Sequence, residues 1–246
     1  MRKNPLFSNI QTGEVVYDDV DRATYKGITV KTSILLIITI IVAAFVAFAL
    51  PKILNNNATV FYVALVVSSI VGLIAVIVGR MSETKAKYAS VIYAICEGLF
   101  LGSISAIVED FVPGAVVTAV FSTIILFAVM LTLFATGIIK TGSKMRSICF
   151  GLTLGALGIM LMMGLFSIFI TDYTQYLTIM IGVEIFLLIY GVITLSLNFS
   201  EANAVVSTGA SKGAEWSVAL GLLVSIVYIY VEVLRLIALI AARSDN

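Results

Sequence analysis

The chain has 246 residues and a net charge of +1, with 61% of its residues apolar and 12% charged, against roughly 45 to 50% and 25% in a soluble domain. Its long apolar runs cannot be hidden in one globular core and match the length that a bilayer-spanning helix requires, so the sequence reads as an all-α, polytopic membrane protein. With no histidine, the usual general base and the commonest metal ligand are missing, which excludes Ser-His-Asp, Cys-His and HExxH chemistry; we expect neither an enzyme nor a bound cofactor.

The first thirty residues are polar and include Glu14, Asp18, Asp19 and Asp21, the opposite of a charged-then-apolar secretory signal. They predict a cytoplasmic tail over residues 1–32. Seven apolar runs follow, at 33–53, 58–78, 88–108, 115–136, 148–170, 177–198 and 216–241, and are predicted to span the bilayer. One membrane domain over 33–241 and a terminal tail over 242–246 result. Most connections are short, so neighbouring helices should be antiparallel. Cys96 and Cys149 both fall inside apolar runs and read as small core residues rather than a disulfide or metal pair. No basic block is dense enough to track a phosphate backbone, which leaves the lipid bilayer and not nucleic acid as the expected partner.

Positive residues near spans are retained on the cytoplasmic side. Arg2, Lys3, Arg22, Lys26 and Lys31 lie in the tail, Arg80, Lys85 and Lys87 in the second loop, Lys140, Lys144 and Arg146 in the fourth, and Lys212 in the sixth. The opposite side holds Lys52, Arg235 and Arg243, and its third and fifth loops carry Glu109, Asp110 and Asp172 instead. The N-terminus is therefore expected in the cytoplasm and the C-terminus outside.

Ionisable groups within spans cost about 2.5 to 3.5 kcal/mol on insertion scales, so each calls for a partner or a function. Glu97 lies in mid-span in the third run, Glu184 in the outer third of the sixth, and Glu232 with Arg235 near the outer end of the seventh. Glu184, Leu188, Gly191, Leu195 and Asn198 share one helical face, as do Ser217, Gly221, Ser225, Tyr228, Glu232 and Arg235, and both stripes should face protein. Glu232 and Arg235 are spaced as an i,i+3 ion pair, with Arg235 reaching toward the headgroups. Glu97 and Glu184 have no basic residue in their own spans, which suits either protonated structural acids or ion and proton handling. The GxxxG spacings Gly98 to Gly102 and Gly151 to Gly155 suggest close helix contacts within the chain, and Tyr88, Tyr176 and Trp216 read as interfacial anchors.

The segment Glu97-Gly98-Leu99-Phe100-Leu101-Gly102-Ser103-Ile104-Ser105 resembles the EGxxLGxxS stretch of the Bax-inhibitor-type membrane proteins, the TMBIM or YccA-like family. Val233-Leu234-Arg235-Leu236 is similar to that family's terminal ILRLL helix, and Asn4-Pro5-Leu6-Phe7 to the start of its bacterial branch. The resemblance implies seven transmembrane helices, six surrounding a central C-terminal one, and in several members a pH-sensitive calcium leak latched by two aspartates. An ungapped reading puts the latch positions at Ser200 and Ser225, so the acidic pair is replaced, with Glu201, Glu215 and Glu232 as possible substitutes.

These readings make a slow, pH-modulated cation leak the expected function, with calcium as cargo because hard cations need oxygen ligands. Glu97 is the expected path carboxylate, Glu184 and Glu232 are secondary ion or proton sites, and Asn198, Ser200, Glu201 and Ser225 form the candidate gate. The alternative is a non-conducting regulator that binds a membrane protease or stress-response partner, as the resemblance allows. It also points to a bacterial plasma membrane.

Overall fold

A computed structural model describes residues 22–48, 58–136, 138, 151–156, 158–159, 161–162 and 173–244. Six long helices fill these ranges: α1 (Tyr25–Phe48), α2 (Ala58–Met81), α3 (Glu83–Phe111), α4 (Ala115–Ala135), α5 (Tyr173–Ser207) and α6 (Ala214–Ser244). All but α2 are long and apolar enough to cross a bilayer over their described length, and α2 adds the shorter apolar stretch Leu65–Met81. The protein is an all-α, multi-pass membrane protein. Among the described residues the β pairing is confined to one isolated bridge between Arg22 and Ser211.

Of the fifth predicted span, short helical pieces such as 151–156 are described. The rest of that span, Cys149, the basic loop with Lys140, Lys144 and Arg146, and the tail before Arg22 lie outside the described residues.

Helices run past the apolar spans in several places. α1 begins at Tyr25 and not at the first apolar residue, α2 and α3 are separated by Ser82 alone, and α5 continues to Ser207. The expected second loop, Arg80 to Lys87, is thereby almost wholly helical, and the sixth shrinks to residues 208–213. Hydropathy marks what lipid surrounds, whereas a helix continues wherever its backbone bonds are not interrupted. Interruption does occur before α4, where Gly114 takes a φ of 86° that favours glycine. There the Glu109 carboxylate accepts the backbone N–H groups of Gly114 (2.7 Å) and Val116 (3.0 Å), so this loop acid caps the start of α4.

α6 packs against each of the other five helices. Its side chains enter two apolar clusters: Val218, Leu222 and Ile229 join Leu195 and Phe199 of α5, while Leu220, Leu223 and Val227 join Leu35 of α1 and Tyr93 of α3. A helix buried on so many sides has no lipid-facing stripe over most of its length, and lipid contact falls to helices such as α1, where Ile37, Ile40 and Ile41 are exposed.

The first GxxxG pair sits where α3 crosses α1. A Cβ on Gly98 would lie 2.8 Å from the Thr39 carbonyl oxygen, and one on Gly102 would lie 2.5 Å from that of Ala43. These glycines set a close backbone approach within the chain, helped by Thr39 Oγ1 donating to the Ala94 carbonyl at 3.2 Å. Because the obstructing atoms are backbone, Gly102→Val should destabilise the fold by about 1 to 3 kcal/mol, read as a lower melting temperature in detergent. An unchanged melting temperature would remove this crossing as a packing constraint.

Candidate functional site

The polar face of α6 meets α1, α2 and α5 in successive tiers from Glu215 to Arg235. At the first tier Glu215 is fully buried. Its carboxylate accepts the Thr24 N–H at 2.8 Å and the Thr24 hydroxyl at 3.3 Å, and forms an ion pair with Lys31 of α1. Lys31 also donates to the Lys212 carbonyl (3.1 Å), and its ammonium lies 5.2 Å from the Trp216 ring centroid. Gly27 leaves room beside it, since a Cβ there would meet the Glu215 carboxylate.

One turn along, Arg80 of α2 grips Glu201 of α5 in a fork, with Nη1 to Oε1 at 3.1 Å and Nη2 to Oε2 at 2.8 Å. The same Nη1 donates to the Ser217 carbonyl of α6 at 3.2 Å, so one guanidinium joins three helices. The next tier is neutral. Asn198 Nδ2 donates to the Gly221 carbonyl (3.0 Å) and to Ser225 Oγ (2.6 Å). Further along, the Tyr228 ring occupies the space left by Gly191, stands edge-on to Tyr190, and its hydroxyl donates to the Leu187 carbonyl at 3.3 Å.

The last tier holds Glu184, Glu232 and Arg235. Arg235 Nε lies 2.8 Å from Glu184 Oε1, and Arg235 Nη1 lies 3.6 Å from Glu232 Oε2. The i,i+3 pair within α6 is thus the longer contact, and the closer partner comes from α5. Glu184, for which its own span supplies no cation, obtains one from the neighbouring helix. Both glutamates are buried, at 0% and 2% exposure, whereas the Arg235 side chain is 37% exposed. Two carboxyl groups thus face one guanidinium, and they also hydrogen-bond each other. Such groups are costly to bury, which makes this tier the candidate site.

The predicted site residues therefore separate into groups. Glu184, Glu232 and Arg235 are brought together, as are Asn198 and Ser225. Glu201 is occupied by Arg80. Ser200 does not face Ser225: it lines a cavity on the other side of α5, because two residues along a helix turn the side chain by about 200°. The residue opposite Ser225 is Asn198, which corrects the expected pairing of Ser200 with Ser225. Glu97 is half-buried on α3 with Tyr93 as a hydrogen-bond partner one turn earlier, and no described contact joins it to the α6 tiers. Among the described residues, no group of three or more acids and cysteines is placed to hold a metal ion.

The sequence names Glu201 as a gate residue and Glu215 as a stand-in for an aspartate, and counts Lys31 and Arg80 only toward orientation. The available signal was weak: Gly27 one turn before Lys31 admits a close contact, but nothing in the spacing names its partner across the fold.

A family model described as Bax inhibitor 1 like matches residues 4–242. No curated protein and no solved structure matches the chain.

The Lys31 and Glu215 pair has a distinct mutational signature. Lys31→Met leaves a buried carboxylate without its cation and should cost about 3 to 5 kcal/mol, while Lys31→Met with Glu215→Gln should recover a substantial part. Thermal unfolding of the purified variants checks this, and a Lys31→Met protein as stable as the parent would contradict it.

Proposed function

The chain belongs to the Bax inhibitor 1 like family, and from that membership we propose that it forms a slow, pH-modulated cation leak with calcium as its cargo. The observation carrying this reading is the sequence of oxygen-bearing tiers along one face of α6, ending in two buried carboxyl groups that face a single arginine. Hard cations are stabilised by carboxylate and carbonyl oxygens, and a path needs several weak sites rather than one tight cage. That the oxygens are spread over tiers supports passage over storage.

In this reading the ends have different roles. A cation arriving at Glu184 and Glu232 meets two carboxyl groups, and a proton competes for the same oxygens. Arg80 on Glu201 and Lys31 on Glu215 hold the opposite end shut by tying α1, α2 and α5 to α6. Asn198 and Ser225 form the neutral constriction between, and Glu97 is a carboxylate of the path reached when α3 shifts against α6. No chemical step is involved: the protein is proposed to act without catalysis. The distribution of Lys and Arg supports a cytoplasmic N-terminus and an external C-terminus, and the compact loops and N-terminal Asn4-Pro5-Leu6-Phe7 support the bacterial plasma membrane as its location.

A second reading is favoured by one specific feature. Ser225, at one of the two positions where the resemblance implies an acid, is engaged instead in a neutral hydrogen bond with Asn198. A protein closed in this way could serve as a non-conducting regulator bound to a membrane protease or stress-response partner.

Calcium flux into dye-loaded proteoliposomes at about pH 6 and pH 8 separates the two. The leak predicts flux that differs between the pH values, loss of that difference in Glu184→Gln and Glu232→Gln, and a faster leak in Glu201→Gln, where Arg80 loses its anionic partner. Glu97→Gln should slow it, and a wild-type rate in that variant would remove Glu97 from the path. Absence of flux from folded protein at both pH values would contradict the leak and leave the regulator.

A further inference from the structure

The cavity that Ser200 lines has a volume of about 750 Å³ and is bounded by residues of α1 (25–36), α4 (127–135), α5 (199–203) and Leu222 of α6. α1 and α4 pack on common neighbours but not on each other. The gap between them therefore has a floor, made of Phe199, Ala202 and Leu222, and is open on one side. One wall is an aromatic group: the Phe199 ring lies 5.7 Å from that of Phe127 and 5.4 Å from that of Phe134.

The chemistry of the lining decides what fits. Several hydroxyls reach the cavity, but those of Thr29 and Thr32 donate to the Tyr25 and Ile28 carbonyls of their own helix, leaving their methyl groups to the space. The Tyr25 hydroxyl is engaged by Asn203 at 2.6 Å. At the depth of Phe127 and Leu222 the lining is apolar, and hydrocarbon is suited to such a space.

One end of the cavity is polar and positive. Tyr25 and Asn203 mark the end shared with Glu215, and Lys26 falls on the same helical stripe as Thr29 and Ser33, which line the cavity. Lys26 is exposed, which suits a headgroup phosphate at that end.

We propose that this cavity is a phospholipid site: one acyl chain lies between α1 and α4 against Phe127, Phe134 and Phe199, with the phosphate held near Lys26. The lipid would come from the leaflet at the Lys31 and Glu215 end. By pressing on residues 199–203, its chain would brace the segment of α5 that presents Asn198 and Glu201 to α6. The site stands whether or not the protein conducts cations.

The test is native mass spectrometry of delipidated full-length protein in detergent, supplied with phosphatidylglycerol or with an uncharged monoacylglycerol. Ser33→Trp and Leu131→Trp each fill the cavity from a different wall at exposed positions, and Ile41→Trp places the same ring on the outer surface of α1. Wild type and Ile41→Trp should each retain one phosphatidylglycerol, with retention reduced at least about fivefold in both cavity-filling variants at unchanged melting temperature. Lys26→Ala should weaken phosphatidylglycerol but leave the monoacylglycerol unaffected. Equal retention in wild type and the filled variants, loss in Ile41→Trp as well, or loss from only one of the two filled walls would overturn the site.

Discussion

Hydrocarbon cannot hydrogen-bond a stray polar group, and this constraint organises the protein around α6. Its polar face carries groups that must be satisfied by protein, and a different neighbour meets each: Lys31 of α1 at Glu215, Arg80 of α2 at the Ser217 carbonyl, Asn198 of α5 at Gly221 and Ser225, Glu184 of α5 at Arg235. The same helix buries apolar side chains between these contacts. Helix association in lipid draws little from hydrophobic burial, so such cross-helix bonds and close glycine approaches hold the relative positions.

The tiers are not equivalent, and their differences suggest a direction. At the Glu215 end, acids and bases match and the contacts are closed by several donors. At the Arg235 end, two carboxyl groups share one guanidinium. A fold selected for rigidity alone would replace one of these glutamates with an apolar residue at little cost. Keeping both places two buried carboxyl groups beside one guanidinium, past the neutral contact of Asn198 with Ser225. The aromatic cavity between α1 and α4 lies near the Glu215 end and reaches α6 at Leu222. Whatever fills it bears on the helix that carries Asn198 and Glu201.

Much of this architecture was legible in the chain. Apolar runs located most of the helices, and the stripes through Glu184 to Asn198 and Ser217 to Arg235 identified the faces that turn inward, because both follow from periodicity along one helix. Partners across helices were less accessible. Arg80 was counted as a loop charge, yet a helix does not stop where lipid does, so it sits on α2 within reach of Glu201. Arg235 was assigned to Glu232 on sequence distance, whereas three dimensions give it a closer acid on α5. An ungapped comparison placed the latch at Ser200, and a displacement of two residues on a helix was enough to point that serine into the cavity instead of toward Ser225.

Buried ionisable groups on α6 are met by partners from other helices, and a double-mutant cycle between Glu184 and Arg235 tests this most directly. Unfolding free energies of wild type, Glu184→Gln, Arg235→Met and the double variant give the interaction without reference to any single substitution's side effects. The account predicts a favourable coupling of about 0.5 to 3 kcal/mol, as expected of groups in one charged network. Additive single-variant effects would mean that the two residues do not sense each other, and would contradict it.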